Sequence, residues 1–243
     1  MKSDIIIYTD GSSRGNPGPG GWGAIVATKE FVIELGVGDK HTTNNKMELS
    51  AAIESLCYVR TLGSAFIIDV HADSSYVING ITKWVFGWQK NGWKNSKKEE
   101  VLNRDLWASL TEVVADLQLS GCKIKWIYTP GHAGIAGNDR ADEIATKCAD
   151  GEDPKLFTGA REVYEVDLVP HSGDPKLLAQ KKSKSKSSSG VKAYSYLSLI
   201  GGKLMKHETW AECEKRVKGV PGTKFKKTTS ANDEQAIIKM WGL

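Results

Sequence analysis

The chain has 243 residues, of which 40% are hydrophobic and 26% charged, a balance typical of a globular protein with one ordinary domain and a smaller one. No apolar run approaches the roughly 20 residues of a membrane-spanning helix. Four cysteines without CxxC pairing argue against a zinc site or a disulfide framework. The N-terminal segment becomes acidic too early for a secretory signal, so we expect a cytoplasmic protein.

The net charge of +4 is unevenly distributed along the chain. Residues 1–150 carry 16 Lys and Arg against 18 Asp and Glu, whereas residues 151–243 carry 17 against 11. The basic C-terminal part is therefore the part that favours a polyanionic partner.

Residues 1–150 have the alternating strand and helix patterns of a mixed α/β domain. The predicted strands are Ile5–Thr9, Trp22–Ala27, Phe31–Val37, Ala65–Ala72 and Ile124–Tyr128. The predicted helices begin near Asn44, Leu102 and Asn138. This succession of strands and helices is best satisfied by a single sheet with helices on its faces.

A change of composition follows residue 150. We assign residues 151–190 to a linker, partly basic and flexible, because Lys181–Gly190 consists almost entirely of lysine and serine. Within it, residues 151–180 carry a few apolar side chains that either pack on a neighbouring domain or remain extended. From residue 191 to residue 243 aromatic and apolar residues return, enough for a small second module.

Four acidic residues lie where this element order brings chain segments together. Asp10 ends the first strand, Asp73 follows the fourth, Glu48 faces inward from the first helix and Asp142 lies in the last helix. Converging carboxylates repel one another unless hard divalent cations neutralise them, which implies Mg²⁺ or Mn²⁺. Taken singly, each acid is better explained as a turn former or a helix-dipole partner, and only the set as a whole favours a metal site.

Read together with their neighbours, these acids resemble the signature set of type 1 ribonucleases H. The matching segments are Asp10-Gly11-Ser12 with Asn16-Pro17-Gly18, Thr42–Leu49, Asp73-Ser74, Gly131–Gly134 and Asn138–Asp142. The match is ordered and covers roughly residues 3–150. It implies a ribonuclease H-like fold, a mixed five-stranded sheet with flanking helices, acting as an endonuclease on the RNA strand of RNA–DNA hybrids.

The resemblance also implies roles for individual residues. Asp10, Glu48, Asp73 and Asp142 would hold two Mg²⁺ ions, with Mn²⁺ as a substitute, on either side of the scissile phosphate. The products would carry 5′-phosphate and 3′-hydroxyl ends. His132, in a glycine-rich loop, matches the family histidine that moves protons or assists product release.

Substrate contacts are expected at further positions. Asn16, Asn44 and Asn45 match family residues that touch the two strands, and Thr43 matches one that binds a DNA phosphate; turn and N-cap chemistry is the alternative for all four. The segment Lys83–Lys98 has five lysines and no acids among its aromatic residues and resembles the basic protrusion of the family. We assign groove contact there to Trp84, Lys90 and Lys94, although at least one tryptophan of the segment belongs to the core.

Residues 191–243 resemble the small hybrid-binding module found at the N-terminus of many eukaryotic type 1 enzymes. By this resemblance Tyr196 and Trp210 would lie against DNA sugars, and Lys226 with Lys227 would bind phosphates of a hybrid or of double-stranded RNA. The alternative is that Trp210 is the core tryptophan of a tiny α+β domain. We expect a monomer that does not bind membranes, in which the linker tethers this module to the catalyst.

Two other classes of protein share the predicted fold. A noncatalytic hybrid-binding or double-stranded RNA-binding protein is disfavoured because all four acids are present. A transposase or Holliday-junction nuclease is disfavoured by the Thr43-Asn44-Asn45 and Gly131-His132 segments, which resemble the hybrid-cleaving branch.

Overall fold

The computed structural model describes residues 3–168, 193–220 and 222–242. They form two compact units, one within Met1–Leu178 and the other within Ala179–Leu243. The predicted Lys181–Gly190 linker lies outside the described residues. No helix among the described residues is both long enough and apolar enough to cross a bilayer.

The first unit is a mixed sheet with helices on both faces. Its strands are β1 (Ile5–Ser13), β2 (Gly18–Ala27), β3 (Phe31–Thr42), β4 (Ile67–Ala72), β5 (Lys123–Tyr128) and β6 (Thr158–Ala160). Its α-helices are α1 (Asn44–Thr61), α2 (Ser75–Asn79), α3 (Val85–Lys90), α4 (Arg104–Leu119) and α5 (Ala136–Asp150). The predicted mixed α/β fold is confirmed.

The strand order is β5-β4-β1-β2-β3-β6. Strand β4 runs parallel to β1 and β5, whereas β2 and β3 extend the sheet as an antiparallel meander. Thr9 pairs with Ala72 across β1 and β4. The residues that follow this pair are Asp10 and Asp73, so the parallel register brings two acids to the same edge of the sheet.

Apolar side chains form a core on each face of the sheet. On one face α1 and α4 bury Leu49, Leu56 and Trp107 against β1 and β4. On the other face α5 buries Ile144 among side chains that include Tyr8. Helix α1 begins after Thr43, whose side chain accepts a hydrogen bond from the backbone N–H of Lys46.

The sheet has six strands and not the predicted five. Thr158–Ala160 pairs with Phe31–Ile33 at the outer edge of β3, and Leu168 is fully buried in the core beneath α5. Residues 151–168 therefore pack on the rest of the first unit, which is one of the two arrangements that the sequence left open for residues 151–180. A three-residue edge strand is too short to give an alternating pattern, which is why the sequence did not reveal it.

The second unit is a three-stranded antiparallel sheet with two helices. Its strands β7 (Ser195–Ile200), β8 (Lys203–His207) and β9 (Lys224–Thr228) are ordered β8-β7-β9. Its helices are α6 (Trp210–Val217) and α7 (Ala231–Met240). Buried Leu197, Cys213 and Ile237 supply its small apolar core. The small α+β module predicted for this part of the chain is present.

Candidate active site

Three carboxylates from three elements meet at one edge of the first unit. One ligand oxygen from each of Asp10, Glu48 and Asp73 lies within 4.8 Å of the other two. Asp10 stands on β1, Glu48 on the second turn of α1 and Asp73 directly after β4. Asp10 and Glu48 are buried, and Asp73 is half-buried. The fold therefore assembles a compact cluster of negative oxygens that opens to solvent on one side.

A fourth acid and a histidine border this cluster. Asp142, on α5, is a hydrogen-bond partner of Asp10 and raises the pKa values of both Asp10 and Glu48 by its charge. Its Oδ2 lies 3.8 Å from Nδ1 of His132. The His132 side chain is 76% exposed, and its backbone has a φ of 50°. An exposed imidazole beside the rim of the cluster can reach both solvent and Asp142.

Burial and mutual repulsion perturb the cluster strongly. Burial, followed by the charges of Asp73 and Asp142, raises the pKa of Asp10 to about 8, although the Gly11 N–H donates a 2.7 Å hydrogen bond to its Oδ1. Burial and the neighbouring charge of Asp10 raise the pKa of Glu48 well above its ordinary value. In the absence of cations, the folded chain resists ionisation of these groups.

Two glycines let the backbone come close enough to form this cluster. A Cβ atom on residue 11 would overlap the backbone nitrogen of Glu48, and one on residue 131 would overlap Oδ2 of Asp73. Asn44 adds a polar contact, because its Nδ2 donates a 3.3 Å hydrogen bond to Oε1 of Glu48. The arrangement therefore requires these small residues as well as the acids.

The donor set fits a hard divalent cation. All the cluster ligands are carboxylate oxygens, the type that Mg²⁺ and Mn²⁺ prefer. Oε2 of Glu48 is buried and has no hydrogen-bond partner among the described residues. A cation would satisfy that oxygen and remove the repulsion that raises the pKa values.

Comparison with known proteins agrees with this geometry. The ribonuclease H family model matches residues 2–150. The chain belongs to the ribonuclease H family. It is 49% identical to the ribonuclease H of Afipia carboxidovorans over 145 residues, which cover 60% of this chain and 92% of the relative. It is 47% identical to that of Erythrobacter litoralis, covering 60% of this chain and 96% of the relative.

A solved structure with the same fold is that of LC9-RNase H1, described as a type 1 RNase H with the type 2 active-site motif. The TM-score is 0.55 at 25% identity, and the match covers 72% of this chain and 98% of the other. Ribonucleases H depend on divalent metal ions, in agreement with the acidic cluster. The family model ends at residue 150, so the resemblance of the C-terminal module stays a prediction.

Four residues predicted to touch the substrate lie between β1 and β2 or at the N-terminus of α1. Asn16 is exposed between β1 and β2, and Asn45 is exposed on the first turn of α1. Thr43 is the N-cap of α1 and Asn44 donates to Glu48, so both have a role inside the protein. These internal contacts do not preclude substrate binding, and the predicted contacts of all four residues stay predictions.

The predicted basic protrusion lies between α2 and α4. A π-helical turn, Gly80–Trp84, precedes α3. The Trp84 side chain is 40% exposed, and its ring packs against the rings of Trp88 and Tyr76. Trp107 of α4, by contrast, is fully buried in the core. Lys90 and Lys94 are exposed. The three residues assigned to groove contact are thus accessible to a ligand.

In the second unit the predicted binding residues lie on the sheet and at the start of α6. The ring of Trp210 is 5.8 Å from that of Tyr196 and 5.5 Å from that of Phe225. Trp210 is 41% exposed and Phe225 50% exposed, so Trp210 is not a buried core tryptophan. Lys226 and Lys227 are exposed on β9. The site prediction omitted Phe225, which extends the row of aromatic rings.

A buried ion pair next to the site was also missed from the sequence. Glu34 on β3 accepts two hydrogen bonds from Arg140 on α5, and the Glu34 side chain is only 1% exposed. The available signal was an acid at an inward-facing position of the apolar stretch Phe31–Val37, in register with buried Val32. Its partner lies 106 residues away in the sequence, beyond the reach of local patterns.

Proposed function

We propose that this chain hydrolyses the RNA strand of RNA–DNA hybrids with Asp10, Glu48, Asp73 and Asp142 as metal ligands. The observation that carries the proposal is the convergence of Asp10, Glu48 and Asp73 within 4.8 Å in a member of the ribonuclease H family. The metal is Mg²⁺, two ions per site, with Mn²⁺ as a substitute. When bound, such ions activate water and stabilise the charge that develops on the leaving oxygen.

The residues of the chain have separate tasks in this scheme. The carboxylates would hold the cations beside one phosphate of the RNA strand. His132 moves a proton at its exposed ring nitrogens or assists release of the product, and its distance from Asp142 supports either task. The products carry 5′-phosphate and 3′-hydroxyl ends.

Recognition of the hybrid rests on shape and on 2′-hydroxyl groups rather than base identity. Asn16, Asn44 and Asn45 contact the two strands beside the cluster, and Thr43 binds a DNA phosphate. Trp84, Lys90 and Lys94 contact the DNA strand from the protrusion. The exposure of Asn16, Asn45, Trp84 and the two lysines supports this assignment.

The second unit increases the affinity for the hybrid. Tyr196 and Trp210 lie against DNA sugars while Lys226 and Lys227 bind phosphates, and double-stranded RNA is a second ligand for this surface. Tethering this module to the catalytic domain raises the effective substrate concentration. The partly exposed aromatic row and the exposed lysines of β9 support this role.

The chain acts as a monomer in the cytoplasm. The four cysteines are free thiols, and Cys122 and Cys213 are buried, which suits a reducing compartment. Size-exclusion chromatography with light scattering measures the oligomeric state directly.

A cleavage assay on a labelled RNA–DNA hybrid tests the proposed activity. We expect cleavage of the hybrid, and not of double-stranded RNA or DNA, in Mg²⁺ and none in EDTA. Asp10→Asn is expected to abolish cleavage because it removes a proposed metal ligand. Hybrid binding should be retained, because the other residues proposed to contact the hybrid are unchanged. Asp69→Asn, on the same sheet but outside the cluster, is the matched control and should cleave normally. Substantial turnover by Asp10→Asn in Mg²⁺ would contradict the assignment.

A further inference from the structure

A buried polar network joins β3, α5 and the segment that follows α5. Arg140 donates from Nε and Nη2 to the two oxygens of Glu34, at 2.8 and 2.7 Å. The hydroxyl of Tyr164 donates to Oε1 of Glu34 at 2.6 Å, and the backbone N–H of Phe157 donates to Oε2 at 2.9 Å. Nη2 of Arg140 also donates to the carbonyl oxygens of Pro154 and Lys155. We call residues 154–164 the strap.

The strap lies beside α5, and this helix packs over three glycines of the sheet. Cβ atoms on Gly21, Gly23 and Gly36 would all overlap atoms of α5, so the helix packs directly on the backbone of β2 and β3. At these three positions the sheet offers no side chain that interlocks with α5, so the side-chain contacts of this helix with the sheet are made elsewhere, with Tyr8 and Ile25 among them. Polar anchors at the edge of the sheet add to the contacts that fix the helix along its axis.

Arg140 is such an anchor, and it lies two residues before Asp142 in α5. Residues two apart on a helix point to different sides, so Arg140 faces the strap while Asp142 faces the carboxylate cluster. The Glu34 side chain is almost fully buried and that of Arg140 is 16% exposed, which makes this a rigid contact and not a surface ion pair. Movement of Arg140 along the sheet would move Asp142 relative to Asp10.

We propose that Glu34, Arg140 and Tyr164 are positioning residues, which hold α5 against β3 and the strap so that Asp142 meets the other three acids. This inference rests on the proposed function, in which Asp142 is a metal ligand. It extends the functional domain through residue 164, beyond the predicted boundary at residue 150. None of the three residues touches the reacting atoms.

Metal binding without substrate is the direct test, using the full chain. We would titrate Mn²⁺ into the wild type, Arg140→Gln and Tyr164→Phe, and follow free Mn²⁺ by electron paramagnetic resonance. We expect the Mn²⁺ Kd to rise about tenfold in Arg140→Gln, the lower end of the effects found for direct partners of metal ligands, because Arg140 acts on Asp142 only through the position of α5. Tyr164→Phe keeps the ion pair and loses one hydrogen bond, so a rise of about threefold is expected.

Steady-state kinetics in Mg²⁺ provide a second readout. For both variants kcat should fall while the KM for the hybrid stays within about twofold of the wild type, because the residues that bind the hybrid are untouched. Arg60→Gln removes an exposed arginine–aspartate pair between α1 and α4 and should leave both the Mn²⁺ Kd and kcat unchanged.

A purely structural role would lower Tm and leave the Mn²⁺ Kd and kcat of the folded variants unchanged, and that result would overturn the proposal. If Arg140→Gln fails to fold, Tyr164→Phe decides, and an unchanged Mn²⁺ Kd in this variant rejects the positioning role. Failure of the wild type to cleave a hybrid would reject the proposed function instead, so the two failures are distinguishable.

Discussion

The backbone nitrogen of Glu48 lies against Gly11 so closely that a Cβ atom on residue 11 would overlap it. This contact fixes the N-terminal part of α1 against β1 at Met47 and Glu48 and explains how Glu48 reaches Asp10. The atoms in contact are backbone atoms on both sides, so a larger residue cannot be accommodated by a side-chain rotation. The spacing of the clustered carboxylates is therefore set in part by a glycine that carries no side chain of its own.

Gly11→Ala should displace α1 from β1 and spread the carboxylates. We expect a loss of about 1–3 kcal/mol of unfolding free energy, as for overpacked cores, and a fall in kcat of about 100-fold. Urea unfolding and hybrid cleavage measure the two effects. Gly87→Ala is the matched control, since a Cβ atom there meets nothing within 4 Å, and alanine in a helix is expected to be neutral or slightly stabilising. Wild-type activity in Gly11→Ala would contradict this account.

The sequence was sufficient to predict where the acids lie but not what holds them there. Asp10 and Asp73 follow Thr9 and Ala72, the last pair that joins the parallel strands β1 and β4, although β1 itself continues to Ser13 and does not end at Asp10 as predicted. Glu48 lies on the inward face of α1, so local patterns and one topological rule place all three acids. The pairing of Glu34 with Arg140 depends on three-dimensional packing across 106 residues. The strand Thr158–Ala160 has no hydrophobic alternation of its own and forms because β3 offers a free edge.

The stability of the metal-free protein should fall as the pH rises. The folded pKa of Asp10 is raised to about 8, above the unfolded value near 4, so the folded state binds more protons between these values. The stabilisation from protonated Asp10 is therefore fully present below about pH 4 and is lost as the pH rises towards 8. Thermal unfolding in EDTA across this range measures the effect.

Mg²⁺ binding should restore the stability that the metal-free protein loses as the pH rises. The increase in Tm on adding Mg²⁺ should therefore be larger at pH 8 than at pH 5. Asp10→Asn is expected to be more stable than the wild type in EDTA at pH 8, by on the order of 2 kcal/mol, because it removes one of the repelling charges. Asp69→Asn should show no such gain. A metal-free wild type whose Tm is highest at pH 8 would refute the electrostatic description of the cluster.

His132→Ala should reduce turnover without unfolding the protein. The side chain is 76% exposed, so the change in unfolding free energy is expected to be within about 0.5 kcal/mol. A fall in kcat of about 100-fold is expected if the histidine moves a proton. Single-turnover kinetics separate the two roles, because proton transfer would slow the single-turnover rate, whereas product release would slow only the steady state. Unchanged rates in both experiments would exclude His132 from the reaction.

The aromatic row of the second unit, Tyr196, Trp210 and Phe225, should contribute hybrid affinity that is separate from catalysis. Trp210→Ala is expected to weaken binding by about 1–3 kcal/mol if the ring stacks on the ligand, and Lys227→Ala to reduce the slope of log K against log salt by about one. Fluorescence anisotropy with a labelled hybrid across a salt titration measures both.

The control is Lys218→Ala, which removes an exposed lysine of the same unit that pairs with Glu214 and should keep the wild-type slope. Because the carboxylate cluster is untouched, kcat at saturating hybrid should be retained. Equal affinities and slopes for all three variants and the wild type would remove the second unit from hybrid recognition.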